Sequence, residues 1–128
     1  MSEFKTHLVA EALTDTVWVI HEELVYESDE VGLIIVPGGF QTDFASVPRL
    51  PVVYEHFGDR AHHESVIHDY LYRSDSFPTV ARATADAVFL SAMAVRGKSW
   101  GIRYPMYWGV RMGGAASYHR RKVADQLI

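Results

Sequence analysis

Two short segments gather most of the residues able to do chemistry. The first is Thr42-Asp43-Phe44-Ala45-Ser46-Val47-Pro48, and the second runs from His62 through His68-Asp69 to Tyr72. Asp86 is the third place of interest. Asp43, His68, Asp69 and Asp86 form a mixed nitrogen and oxygen ligand set. Such a set suits zinc, manganese or iron better than calcium, with zinc or manganese the expected ion. A metal held there would lower the pKa of a bound water and supply hydroxide near neutral pH. Asp43, Ser46, His68 and Asp69 are then the candidate catalytic groups, with Asp43 as ligand or general base and Ser46 as a hydrogen-bond donor. A serine nucleophile is disfavoured, because nothing like Gly-x-Ser-x-Gly surrounds Ser46.

Each of these residues also has a structural reading. Ser46 is suited to cap a short helical turn begun by Pro48. Asp43 could bond its own backbone and shape the loop. His63 reads as a buried, hydrogen-bonded histidine. His62 and Glu64 read as part of a polar helix surface.

These residues need elements to position them. At about 100° per residue, Val66, Ile67, Tyr70 and Leu71 share one face of a helix over residues 60–72. His68, Glu64 and Tyr72 lie toward the other side. Residues 79–95 form a second, alanine-rich helix stopped at Arg96-Gly97. On it Arg82, Asp86, Phe89, Leu90 and Met93 fall on one stripe. A carboxylate among such residues must be paired, hydrogen-bonded or metal-bound, and Arg82 stands one turn away. A third helix is predicted over residues 105–119, with Pro105 in its first turn and Gly113-Gly114 bending or ending it. Its aromatics, Tyr104, Tyr107, Trp108 and Tyr118 with Trp100 nearby, read as core. Arg103 and Arg111 among them read as partners for the acidic residues above.

The first third reads as strands. Residues 16–26 and 31–36 are rich in β-branched and aromatic side chains, Pro37-Gly38-Gly39 makes a turn, and residues 40–44 form a short third strand. Residues 7–11 supply a further candidate. Strands first and helices after predict an α+β fold: an antiparallel N-terminal sheet or meander packed by about three C-terminal helices, all in a single domain over residues 1–128.

Composition narrows the function classes. The chain has 128 residues, 48% hydrophobic and 22% charged, with a formal net charge of −4. That is globular, and it lacks the basic patch that nucleic-acid binding requires. There are no cysteines, which excludes disulfides, thiolate metal sites and a cysteine nucleophile. No apolar run approaches the roughly 18 residues of a membrane span, and the first residues do not resemble a signal peptide.

Three strings carry a family resemblance: Val36-Pro-Gly-Gly-Phe-Gln-Thr-Asp-Phe-Ala-Ser-Val-Pro48, then His68-Asp-Tyr-Leu-Tyr72, then Arg82-x-x-x-Asp86-x-x-Phe89. Together they resemble the DUF1353 family of phage and prophage proteins of unknown function, over roughly residues 30–118. The resemblance implies a phage or prophage origin and assigns no activity. It places the protein in the host cytoplasm during production, with a virion or envelope role to follow. A second pattern is similar to the HD phosphohydrolases: a histidine, then His68-Asp69, then Asp86. The final aspartate comes only 17 residues after the pair, and the β-rich first third is foreign to that all-helical fold. Only the thought of a metal-holding set carries over.

The leading expectation is therefore a metal-dependent hydrolase acting on cell-wall material or a phosphate ester. The rival is a non-enzymatic virion component, tail- or head-associated, with other virion proteins as partners. A third reading is a small inhibitor of a host protein. An open cleft over the polar cluster would favour the enzyme. A sealed, mutually hydrogen-bonded network would be structural, and an extensive apolar or aromatic surface would favour the virion component.

Overall fold

The computed structural model describes residues 2–43 and 62–127. Strands come first and helices follow, so the fold is α+β as expected. The strands are β1 (Glu3–Phe4), β2 (Ala10–Ala12), β3 (Trp18–Ile20), β4 (Leu24–Ser28), β5 (Gly32–Val36) and β6 (Gln41–Thr42). The helices are α1 (His62–Leu71), α2 (Arg82–Val95) and α3 (Trp100–Gly113), the last running into a 3-10 turn at Gly114–Ala116.

One point of topology differs from expectation. The strands make two antiparallel three-stranded sheets, ordered β1-β4-β5 and β2-β3-β6. The apolar run over residues 16–26 does not stay one strand. It bends at His21-Glu22-Glu23, which are exposed, and its two halves join different sheets. The β4–β5 hairpin then follows the period-2 rule. Leu24, Tyr26, Ile34 and Val36 point inward and are buried, while Val25, Glu27, Leu33 and Ile35 take the outer face. Gly39 closes the turn before β6 with a φ of 90°, which a glycine adopts without strain.

A single apolar core joins the sheets to the helices, from Ile20 and Phe40 through Ile67 and Leu71 to Phe89, Met93 and Met106. Against it, α1 is buried nearly all round. Glu64, Ser65 and His68 are as enclosed as Val66 and Ile67. The expected polar surface for Glu64 is therefore not found. Its carboxylate lies 3.2 Å from Arg96 and 2.6 Å from Lys98, which ties α1 to the link between α2 and α3. Burial still holds the Glu64 carboxyl above its ordinary range despite these cations.

Helix α2 ends at the predicted stop, with Gly97 at a φ of 85°. Helix α3 starts at Trp100, well before the expected first turn at Pro105. Pro105 is exposed, so the Gly101 carbonyl that loses its helical partner can be hydrated instead.

Candidate functional site

The polar centre of the molecule is Asp86. It projects from α2 with no exposed surface, where an unpaired carboxylate would be costly. Its Oδ1 lies 2.6 Å from Nε2 of His68 and accepts a hydrogen bond of 2.6 Å from the Tyr72 hydroxyl. Its Oδ2 accepts from Nη1 of Arg111 at 2.9 Å, with Nη1 of Arg82 at 3.7 Å. Two guanidinium groups, an imidazole and a phenol thus converge on one carboxylate from α1, α2, α3 and the residue just past α1.

The electrostatics follow from that crowding. Burial alone would raise Asp86. The hydrogen bonds from His68 and Tyr72, with Arg111 behind them, outweigh it and hold the carboxyl below its ordinary value. The Tyr72 phenol moves the other way. Burial, the hydrogen bond to Asp86 and the charge of Asp86 all raise it. At neutral pH the cluster is a carboxylate surrounded by donors.

Packing closes the cluster. The His68 ring lies 4.2 Å from Tyr72 and 4.9 Å from Phe89, centroid to centroid, and His68 is 2% exposed. The turn after α3 is built around Tyr72. A Cβ on Gly114 would lie 2.5 Å from the Tyr72 hydroxyl, so any side chain there would force Tyr72 or the turn to shift.

Asp43 and Asp69 belong to a neighbouring feature. They line a cavity of about 200 Å³ together with Tyr72, Arg73, Ser117, Arg120 and Arg121. Arg73 forms its inner wall. This buried side chain donates to the carbonyls of Gln41 and Lys122 at 3.0 Å each and to Oδ2 of Asp69 at 3.2 Å. Its guanidinium also sits 4.7 Å from the centre of the Phe40 ring. At the rim, Arg121 approaches Asp43 at 3.7 Å. Tyr72 is shared, lining the cavity and donating to Asp86.

The sequence-selected residues therefore fall into two adjoining groups. His68 and Asp86 meet directly, and Asp43 and Asp69 share the cavity. Among the described residues no three or more histidine or carboxylate side chains come together as a metal-binding group. Ser46 lies outside the described residues. His63 is hydrogen-bonded as expected, with Nε2 accepting from the Leu8 amide at 3.2 Å, but it is half-buried rather than enclosed. The Arg82 and Arg111 pairings with Asp86 match their expected roles.

Two participants were missed. Tyr72 was placed only as a helix position, and Arg73 was not singled out. The signal for Tyr72 was its position one turn after His68 on the same side of α1.

Trp100, Tyr104 and Trp108 overturn the expectation of a core role, while Tyr107 and Tyr118 are half-buried and Tyr118 packs against the core. Trp100 is 73% exposed, Tyr104 41%, Trp108 57% and Met112 85%. They recur every four residues and form one outward ridge, while Met106 and Val110 on the opposite side are buried. Alongside the ridge, Gly101, Pro105, Gly109 and Gly113 are also exposed.

The family described as "protein of unknown function (DUF1353)" matches residues 18–110, from β3 nearly to the end of α3. No curated protein and no solved structure matches the chain.

Proposed function

The chain belongs to the DUF1353 family, and from that premise we propose that it is a non-enzymatic assembly component of a bacteriophage particle, docking through the outward face of α3. The observation that carries this reading is the ridge of Trp100, Tyr104, Trp108 and Met112. From the areas such side chains carry, the ridge exposes roughly 500–600 Å². That is the upper end of what monomeric proteins leave uncovered, and patches of that size are commonly contact sites. The His68–Asp86–Tyr72 cluster supports the same reading from the other side. Its carboxylate oxygens are taken by donors, its charge is matched by arginines, and its imidazole is enclosed. In this reading the cluster locks the three helices together and presents α3 as a rigid surface.

The test is co-sedimentation. In lysates of cells producing the phage, the chain should travel with assembled particles on a density gradient. A Trp100→Ser/Trp108→Ser variant, folded by circular dichroism, should remain at the top. A wild-type chain that never travels with particles would remove the proposal.

A second reading has one observation behind it. Asp43 and Asp69 share a cavity that opens beside the Asp86 cluster, which is where a divalent metal and a small phosphate ester or cell-wall fragment would be held by a hydrolase. Elemental analysis of protein purified without an affinity tag tests it. Zinc or manganese near one per chain, lost in Asp69→Asn, would favour the hydrolase over the assembly protein.

A further inference from the structure

The α3 face has a counterpart on the same molecule. The outer face of the β1-β4-β5 sheet carries Leu33, 51% exposed, and Ile35, 41% exposed, next to Val25. Glu27 stands opposite Leu33 and Glu3 opposite Glu27 in the strand register. Lys5 bridges Glu3 at 2.5 Å and Glu27 at 3.2 Å, leaving this aliphatic patch with an acidic excess.

Charge divides the chain in the same sense. Residues 1–43, which hold the six described strands, contain nine of the 16 acidic side chains and one of the 12 lysines and arginines. Residues 82–127 contain eight cations and only two acids, Asp86 and Asp125. Helix α3 itself carries Arg103 and Arg111 and no carboxylate. Arg111 is committed to Asp86, while Arg103 donates to the Lys98 carbonyl and leans on the Tyr104 ring, so its charge stays beside the ridge.

We propose that the occupant of the α3 face is a second copy of this chain, docked head to tail through its acidic, aliphatic sheet face. This deepens the assembly reading above and rests on it. Two like α3 faces meeting across a two-fold axis would bring an Arg103 from each copy to the contact with no carboxylate from either helix to meet it. The sheet face instead offers Glu3 and Glu27 to Arg103, and Leu33 and Ile35 to the aromatic ridge. Area agrees. A ridge of roughly 500–600 Å² approaches the ~800 Å² that each partner buries in a stable interface, and the flanking glycines and strand residues add to it. Because the two faces differ, each copy keeps one face unused after docking. Such a heterologous contact propagates into a ring or a row.

Sedimentation velocity of the full chain tests this, using variants that each spoil one face. Trp108→Ser removes an exposed ridge residue, and Leu33→Lys/Ile35→Lys makes the sheet patch basic. Wild type should exceed monomer mass as concentration rises, and the shift should weaken with added salt. Each variant alone should be monomeric, and their equimolar mixture should form a 1:1 pair through the one intact face on each. Thermal melting confirms that each variant is folded, and Met112→Ser with Leu33→Ser repeats the mixing if either is not. Wild type that stays monomeric at all concentrations overturns the proposal. So does a sheet variant that still associates alone, which would mean α3 pairs with α3, and so does a mixture that fails to pair. Any of these outcomes leaves particle co-sedimentation as a separate result, because docking on another virion protein does not need self-association.

Discussion

Replacing Asp86 with asparagine exchanges one carboxylate oxygen for an NH₂ group, removes the charge and changes very little volume. In the native protein both carboxylate oxygens accept: Oδ1 meets Tyr72 and His68, and Oδ2 meets Arg111 with Arg82 behind it. An amide is uncharged and has one acceptor fewer: its NH₂ either faces the donor-only arginines or makes Tyr72 and His68 accept where they donated, and in both cases the arginines lose their anion in a closed space. Removing one partner from a buried ion pair costs about 3–5 kcal/mol. Arg82 and Arg111 are 24% and 27% exposed, so water relieves part of that loss. The lower end, about 3 kcal/mol, is the appropriate figure. For a chain of this length about 4 °C is lost per kcal/mol, so Asp86→Asn should lower the melting temperature by about 12 °C. Differential scanning calorimetry reads the shift, and urea unfolding confirms it as a change in midpoint at constant slope. Tyr72→Phe, which removes a single hydrogen bond to the charged group, should cost about 1.5 kcal/mol. If Asp86→Asn melts within 3 °C of wild type, the cluster does not hold the helices together and the reasoning fails.

Three further outcomes follow from the same geometry. Gly114→Ala places a methyl group against the Tyr72 hydroxyl and should cost about 1–3 kcal/mol by thermal melting. The pH dependence of stability should have two opposing limbs. Asp86 is held below its ordinary 3.8, so the stability of its ionised form is present above that value and drains as pH falls through the lower folded value. Glu64 is held above its ordinary 4.5, so what it contributes is complete below 4.5 and is lost as pH rises through its folded value. Urea unfolding from pH 2.5 to 7 should therefore show the acid limb flattened in Asp86→Asn and the upper limb flattened in Glu64→Gln. Trp108→Ser, altering a residue that is 57% exposed, should change stability by no more than about 0.5 kcal/mol; a larger loss would place Trp108 in the core after all.

Much of the helical half was legible because periodicity and stop signals agree there. The Val66, Ile67, Tyr70 and Leu71 face, the Gly97 stop and the Arg82–Asp86 pair all follow from spacing along one helix. What spacing does not carry is the partner from another helix. Arg111 reaches Asp86 across 25 residues of sequence, and Glu64 finds Arg96 and Lys98 just past the end of α2, so α1 is buried where its polar residues suggest solvent. Helix α3 was misread for a related reason. It is apolar on two sides, with Met106 and Val110 on one and the Trp100–Met112 ridge on the other. Periodicity shows that both stripes exist and is silent on which one meets α2. The two sheets were hidden by the continuous β-branched run from Thr16 to Tyr26, which does not announce the bend at His21-Glu22-Glu23. At the candidate site, spacing put Asp43, His68, Asp69 and Asp86 in one convergent set, whereas the structure splits them into His68 with Asp86 and Asp43 with Asp69. Their division between a closed cluster and a cavity depends on Tyr72 and Arg73 standing between them.

The central claim is that His68 and Asp86 serve the framework rather than a metal-bound reaction. Thermal melting of the wild-type chain with and without excess zinc or manganese tests it most directly. A metal bound only by the folded protein at a hundred times its dissociation constant adds about 2.7 kcal/mol, which is about 10 °C for this chain length. The expected result is a melting temperature that stays within 1 °C of the metal-free value. A rise of several degrees that disappears in His68→Ala would contradict the account and restore the metallohydrolase.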